Sequence, residues 1–451
     1  MAALFFTKAT DAGNAVPVGQ KFQQRVQKEN ADIKEEFFEK DPPEAGEAPT
    51  EEETPEEQKT LTEQKASTDE TAEAADHKIR VLIKNQNYES SYHKNLCIRC
   101  NSPGTIEAEG VEFAAGEELH FDESSSLLNP GESLTLIPED TKAGFTLLSL
   151  ERETGHPTYE GSLTVYRDEK GYYLVNTLDL ETYLCYVIPS EMPSEYATEA
   201  LAAQAVCART YAWKKISEGG IPGFNADVDD SVSYQVYNNI SRQESTDAAV
   251  QKTKGKIITC EGQPITAYFF STSGGNTSTD VWSEEPVEYL QCVNTGTIES
   301  QEPWYRWTVV FSMEELNRRA EQYKIGTLQE LRILQRSDGG AVTSLELAGA
   351  AANHVLQGEY DIRKFLGTDG IRITRNDGSI VTDMKLLPSA YLSLKMTEEG
   401  DGRKSCRIEG GGYGHGVGMS QNAARHLAES GFTWEGILHF FYAKIDLTSI
   451  L

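Results

Sequence analysis

A glutamate set between two prolines, Val187-Ile-Pro-Ser-Glu191-Met-Pro193, is the pattern in this chain best suited to moving a proton. Proline fixes the backbone and removes an N–H donor. A carboxylate held there in apolar company has few partners for its anion, so desolvation raises its pKa toward the range a general acid needs near neutral pH. An exposed loop glutamate, or one capping the helix that follows, accounts for the same residues equally well. A second segment, Ala267-Tyr-Phe-Phe-Ser-Thr-Ser-Gly-Gly-Asn-Thr277, runs an aromatic strand into a hydroxyl-rich turn. Such a surface suits sugar rings, although a hairpin bend whose Ser and Thr bond their own backbone explains it more simply. Ser271 or Ser273 as a nucleophile would need a GxSxG elbow and a partnered His, and that pattern is absent.

The third segment, Gly410-Gly-Gly-Tyr-Gly-His-Gly-Val-Gly-Met-Ser-Gln421, has six glycines in its first nine residues. It permits close backbone approach and positive φ, but it satisfies neither the GxxxxGK[ST] nor the GxGxxG phosphate pattern. His415 within it reads first as a structural hydrogen bonder, then as a metal ligand, then as a substrate contact. Cys97-Ile-Arg-Cys100 has the spacing of half a zinc site or a redox pair, yet no second pair accompanies it. Cys185, Cys207, Cys260 and Cys292 lie in apolar runs and read as small core residues.

These groups need elements to hold them. Ile79–Ile83, Leu134–Ile137, Tyr159–Val165 and Tyr172–Asn176 read as strands, with residues 95–150 a small β-rich insertion or subdomain. Residues 159–188 continue as half-buried strands, and the first strong helix runs from about Thr198 to Glu218, ended by Gly219-Gly220. Leu201, Ala205, Ala208 and Ala212 make a narrow small-residue face, with Gln204 and Arg209 at its edge needing partners. Lys256–Cys260 and Ile265–Phe270 read as strands joined by a turn. Met313–Tyr323 and Tyr360–Leu366 read as helices, as do Gln421–Glu429 behind a Ser420 cap and Trp434–Tyr442 behind a Thr433 cap. Strands and helices mix without a strict βαβ rhythm, which predicts an α+β fold with a mixed β-sheet core and packed helices over residues 78–451.

Composition sets the limits. From about Glu39 to Asp76 the chain is rich in Glu, Thr, Pro and Ala with hardly a residue able to form a core, and residues 1–77 read as a disordered acidic linker. The formal net charge of −30 over 451 residues argues against nucleic acid as a partner, since phosphate binding draws on Lys and Arg. No run of about 18 apolar residues is present, and the start, Met1-Ala-Ala-Leu-Phe-Phe-Thr, does not read as a signal peptide. A long acidic spacer ahead of a folded unit nevertheless suits an envelope protein, with its anchor or signal sequence not present in this chain.

Taken together, six collinear motifs resemble the SpoIID family of bacterial lytic transglycosylases and the related amidase enhancers. They are Leu180-Glu-Thr-Tyr-Leu184, Glu191-Met-Pro193, Ala200 to Ala212, Tyr234-Gln-Val-Tyr237, Ser271-Thr-Ser-Gly-Gly275 and Gly414 to Gln421. The resemblance spans about residues 157–447 and implies cleavage of peptidoglycan glycan strands between N-acetylmuramic acid and N-acetylglucosamine, leaving a 1,6-anhydro end. It places the catalytic glutamate on Glu191. It also implies that Gln204, Arg209, Tyr268, Ser271, Ser273, His415 and Gln421 surround the glycan as positioning groups. Some members carry His and Cys before Gln-Val-Tyr, in a region associated with zinc. Here Ser233 and Tyr234 stand in those places, so no metal or other cofactor is expected. The sequence offers no obvious second carboxylate of the kind a hydrolase uses. The rival reading is a glycan-binding activator of a partner amidase or other cell-wall hydrolase, located in the envelope but cutting nothing itself.

Overall fold

Apolar residues alternating along Lys78–Ile83 and Gly171–Asp179 pair the two strands antiparallel, with Ile79 opposite Leu178 and Leu82 opposite Val175. The computed structural model describes residues 77–107, 110–122, 127–279, 287–367, 370–382, 384–398 and 404–451. Apart from His77, the acidic linker expected over residues 1–77 lies outside these. Around the Lys78–Ile83 and Gly171–Asp179 pair forms a seven-stranded sheet, ordered Val228–Asp229, Lys78–Ile83, Gly171–Asp179, Ser162–Asp168, Ser133–Pro138, Gly104–Ile106 and Val111–Phe113. Three of these strands come from residues 95–150, so that stretch extends the main sheet. It also supplies three strands of a four-stranded sheet ordered Glu118–Phe121, Leu96–Cys100, Phe145–Leu147 and Thr158–Tyr159.

Seven α-helices lie among the described residues: α1 Leu180–Glu191, α2 Thr198–Ser217, α3 Glu244–Lys252, α4 Met313–Ala320, α5 Glu359–Phe365, α6 Gln421–Glu429 and α7 Trp434–Phe441. Sheets and helices mix as expected of an α+β fold. Helix α1 corrects the reading of strands up to residue 188. Its Tyr, Val and Ile content is that of a strand, but Asp179 caps it by accepting from the N–H groups of Glu181 and Thr182. Pro189 does not end it; the helix runs through to Glu191. Helix α3, which carries Glu244 and Asp247 in its first turn, also went unread. The caps expected at Ser420 and Thr433 are present, accepting from Ala423 N and Gly436 N. At α2 the cap is Ala197, with no side-chain bond, and Thr198 is the first helical residue.

Helix α2 is the hub. Every residue from Ala200 to Ala212 is buried, and α1, α3, α6, α7 and the strand Lys256–Cys260 pack against it. So many contacts account for its small side chains, and the helix is enclosed all round where a single narrow face was expected. Arg209, fully buried on this helix, directs its five N–H donors to Glu181 twice at 2.7 Å, Thr253 Oγ1, Lys256 O and Val250 O. The side chain ties α1, α2 and α3 to a strand and has no donor left for a glycan. To bond a glycan, where it was expected, it would have to give up one of these bonds.

A separate core fills residues 304–408. The strands Ile380–Val381, Ile373–Arg375, Trp307–Ser312, Lys404–Gly410 and Leu392–Glu398 form one sheet, and Leu328–Arg336, Val342–Gly349 and Asn353–Gln357 another. Between them lie Trp307, Phe311, Leu345, Leu347, Phe365 and Ile408. The sequence reading drew no boundary here. This module is inserted between two strands, Phe269–Phe270 and Met419–Ser420, that pair in parallel. It thus carries the chain away from the hydroxyl-rich turn and returns it through the glycine segment.

Arg209→Ala leaves the largely buried Glu181 without its partner and is expected to cost about 3–5 kcal/mol, measured by chemical denaturation. A loss under about 1 kcal/mol would show that the arginine does not hold the helices together.

Candidate active site

Glu191 is the last residue of α1, and its side chain is buried at 3% exposure. Its Oε1 accepts one hydrogen bond, from the Val236 N–H at 2.6 Å, while Oε2 has no partner among the described residues. Burial pushes its pKa up to about 8, against the opposing pull of the Val236 N–H. The acid is thus mainly protonated at neutral pH. Its cover is the Tyr234–Tyr237 motif. Gln235 accepts from Tyr183 Oη on α1 and donates to Ala208 O on α2, and Tyr237 Oη donates to Asn176. Ser190 adds a second tie, accepting from the N–H groups of Asn239 and Ile240.

Two glutamine amides adjoin this end of α1, one at the Glu191 backbone and the other through it. Gln421, first residue of α6, donates to the backbone oxygen of Glu191 at 3.1 Å and faces Gln204 Oε1 at 3.5 Å. Gln204 Nε2 and Gln421 Oε1 are both buried and, like Glu191 Oε2, have no partner among the described residues. Unpaired buried polar atoms are uncommon because each forfeits its hydration, and here three belong to residues that adjoin one another. This arrangement can present one proton and two amide groups to a polar ligand.

The hydroxyl turn and the glycine segment lock together behind α6. Thr272 and Tyr413 exchange backbone hydrogen bonds, and Ser278 N donates to Gly416 O at 2.8 Å. Gly418 has φ +76°, and a Cβ there would lie 2.1 Å from the Tyr268 oxygen, so this position requires glycine. At the centre sits Glu299, fully buried, a second carboxylate that no sequence pattern signals. It accepts from Ser273 N, Ser273 Oγ and Ser420 Oγ, and burial pushes its pKa up to about 7. Through Ser420, the cap of α6, it joins the turn to the helix that carries Gln421.

Of the expected site residues, Gln421 bonds the Glu191 backbone and Gln204 lies against Gln421. The backbones of Tyr268 and Ser271 serve the scaffold, Tyr268 O accepting from Met419 N and Tyr442 Oη and Ser271 O from Asn422 N, while the Ser273 side chain serves Glu299; the Tyr268 side chain is half-buried. His415 is buried, with Nε2 at 3.0 Å from Phe269 O and Nδ1 accepting from Val417 N, which is the structural hydrogen-bonding role. Arg209 stays apart, five residues along α2 from Gln204 and so about 140° around the helix. Val236 and Glu299 are the residues sequence reasoning missed; the first lay in a motif that had been noted, and the second in none. Among the core cysteines, Cys185 and Cys207 are buried, but Cys260 is half-buried and Cys292 exposed.

These features define an α+β protein with a buried acid, Glu191, that keeps one carboxyl oxygen unpaired. The stretch holding Glu191, Gln204 and the Tyr234–Tyr237 cover falls in residues 168–260, which match the family described as Stage II sporulation protein. Residues 288–418, most of the inserted module, match a domain family of unknown function, DUF8618. The chain is 30% identical over 304 residues to a stage II sporulation protein D of Bacillus amyloliquefaciens, covering 64% of this chain and 78% of the relative. An uncharacterized protein of Brachyspira hyodysenteriae is 31% identical over 313 residues, 68% of this chain and 75% of its own. A Bacillus subtilis protein named amidase enhancer is 28% identical over 301 residues, 58% of this chain but 40% of the enhancer. The chain belongs to the stage II sporulation protein D (SpoIID) family. No helix among the described residues is long and apolar enough to cross a membrane.

Glu191 ionises more readily in the unfolded chain than in the folded one, where its pKa is about 8. Its burial therefore adds no pH-dependent cost below about pH 4, where both states are protonated, and a progressively larger one as pH rises toward 8. Glu191→Gln keeps an acceptor for Val236 and removes this titration. The stability difference between variant and wild type is expected to be flat below about pH 4, to grow in the variant's favour up to about pH 8, and to level off. A difference independent of pH would mean that the folded carboxyl has an ordinary pKa. Gly418→Ala is expected to cost at least about 2 kcal/mol in urea unfolding, from strain and the clash with Tyr268.

Proposed function

We propose that this protein is a peptidoglycan lytic transglycosylase in which Glu191 is the sole proton carrier. The observation that carries the reading is the buried, unpaired Oε2 of Glu191, its pKa raised by burial, together with Gln421, which bonds the Glu191 backbone oxygen, and Gln204, each of which keeps one unpaired buried amide atom. Glu191 donates its proton to the glycosidic oxygen between N-acetylmuramic acid and N-acetylglucosamine as that bond breaks. The resulting carboxylate takes the proton of the C6 hydroxyl as its oxygen bonds to the anomeric carbon. The acid is regenerated, no water is consumed, and a 1,6-anhydro end is left. A hydrolase would use a second carboxylate as nucleophile or to activate water. Glu299 is a poor candidate because both its oxygens are bonded to Ser273 and Ser420. The two glutamine amides fit the acetamido and hydroxyl groups of the sugars, and the site of action is the cell envelope, outside the cytoplasm.

One observation favours a second reading, that of a glycan-binding enhancer of a cell-wall amidase: the unpaired Glu191 oxygen is buried, so a glycan reaches it only after a rearrangement of the residues around it. Both readings share peptidoglycan as the partner.

Purified protein incubated with peptidoglycan glycans, with and without stem peptides, is expected to release anhydro-ended fragments detectable by mass spectrometry. Glu191→Gln is expected to lower the rate about 10²–10⁴-fold while circular dichroism stays unchanged. Undiminished product from the variant would remove Glu191 from the chemistry. Absence of product from either protein, together with stimulation of an added amidase, would establish the enhancer.

A further inference from the structure

The strand Leu96–Cys100 alternates faces, so Cys97 and Cys100, three residues apart, point to opposite sides of the sheet. Cys100 is buried in the core and Cys97 is partly exposed, so the two cannot share an ion. Partners for Cys97 come instead from the neighbouring strand. The ladder sets Cys97 opposite His120 and Arg99 opposite Glu118, and Glu118 and His120, two residues apart, share the face of Cys97. The donor atoms of Cys97, Glu118 and His120 all lie within 4.8 Å of one another, the one such group of three among the described residues.

From this placement we infer a binding site for a first-row divalent cation of the zinc type, held by Cys97 Sγ, a His120 ring nitrogen and Glu118 Oε2. A thiolate, an imidazole and a carboxylate are the donor set of a four-coordinate zinc centre whose last position goes to water. Metal bonds of about 2.0–2.3 Å require ligands roughly 3.5 Å apart, so closing the site takes about an ångström of side-chain rotation. Glu118 and His120 have that freedom, with side chains 38% and 63% exposed. The carboxylate is already oriented: Arg99 Nε and Nη2 both bond Oε1, leaving Oε2 on the side of His120 Nε2, 3.9 Å away. Partners outside the ligand set commonly fix ligands in this way. On binding, the Cys97 thiol proton leaves for solvent and the sulfur–metal bond replaces it. Glu118–Phe121 is the edge strand of its sheet, so the ion would clip this edge to its neighbour. The site lies outside the stretch that holds Glu191 and is independent of the proposed chemistry.

The test uses the full chain, reduced and stripped of metal, titrated with Co²⁺ and then Zn²⁺. One equivalent of Co²⁺ is expected to raise a thiolate charge-transfer band in the near ultraviolet that Zn²⁺ abolishes, with a rise in Tm. Cys97→Ser is expected to lose the band, and His120→Ala to bind at least about tenfold more weakly. Cys292→Ser, which removes an exposed thiol elsewhere, is expected to behave as wild type. No band in wild type, equal binding in Cys97→Ser and His120→Ala, or loss of the band in Cys292→Ser would each overturn the assignment.

Discussion

The constraint on which the molecule turns is an acid placed where water does not reach it. One backbone N–H is all that Glu191 receives, and a single hydrogen bond does not offset the desolvation of a carboxylate. The surrounding structure has to impose that situation. Helix α1 delivers the residue at its C-terminal end, where the helix dipole also disfavours a negative charge. Arg209 fastens α1 to the hub, and Gln235 and Ser190 hold the cover in place. None of these contacts touches the carboxyl oxygens, yet each prevents the relaxation that would let solvent in.

The contrast with Glu299 shows how partners decide the fate of a buried acid. Both side chains are buried and both have raised pKa values, about 8 for Glu191 and about 7 for Glu299. Glu299 engages both oxygens with Ser273 and Ser420, which lowers the cost of its charge and makes it a bracket between the turn and α6. Glu191 keeps one oxygen uncommitted. A bracket must be saturated to hold its neighbours, and a proton donor must not be.

Much of this was legible from residues alone, for identifiable reasons. The caps at Ser420 and Thr433 act locally through a hydroxyl and a nearby N–H, so sequence reveals them. Glu191 stood out because prolines and apolar neighbours announce a poorly solvated carboxylate. Helix α1 was misread because Tyr183, Tyr186, Val187 and Ile188 suit a strand, and burial on nearly every side erased the periodicity that marks a helix. The scaffold bonds of Arg209 were not legible, because a buried arginine in a small-residue helix serves substrate and scaffold equally well on paper; its five bonds appear only in the fold. Glu299 escaped because its partners, Ser273 and Ser420, are distant in sequence. The second core was missed because its strands look like those before it, and a boundary inside continuous strand-rich sequence carries no compositional mark.

The parallel pairing of Phe269–Phe270 with Met419–Ser420 bears on how the protein reaches its native state. Joining two strands across an intervening stretch of this length carries a large loop-closure entropy when that stretch is unfolded. Once the stretch has collapsed around its own core, its ends are already near each other and most of that entropy has been spent. The glutamine of α6, which follows directly on the second of these strands, is thus brought back to the end of α1 by a module that holds its own ends together.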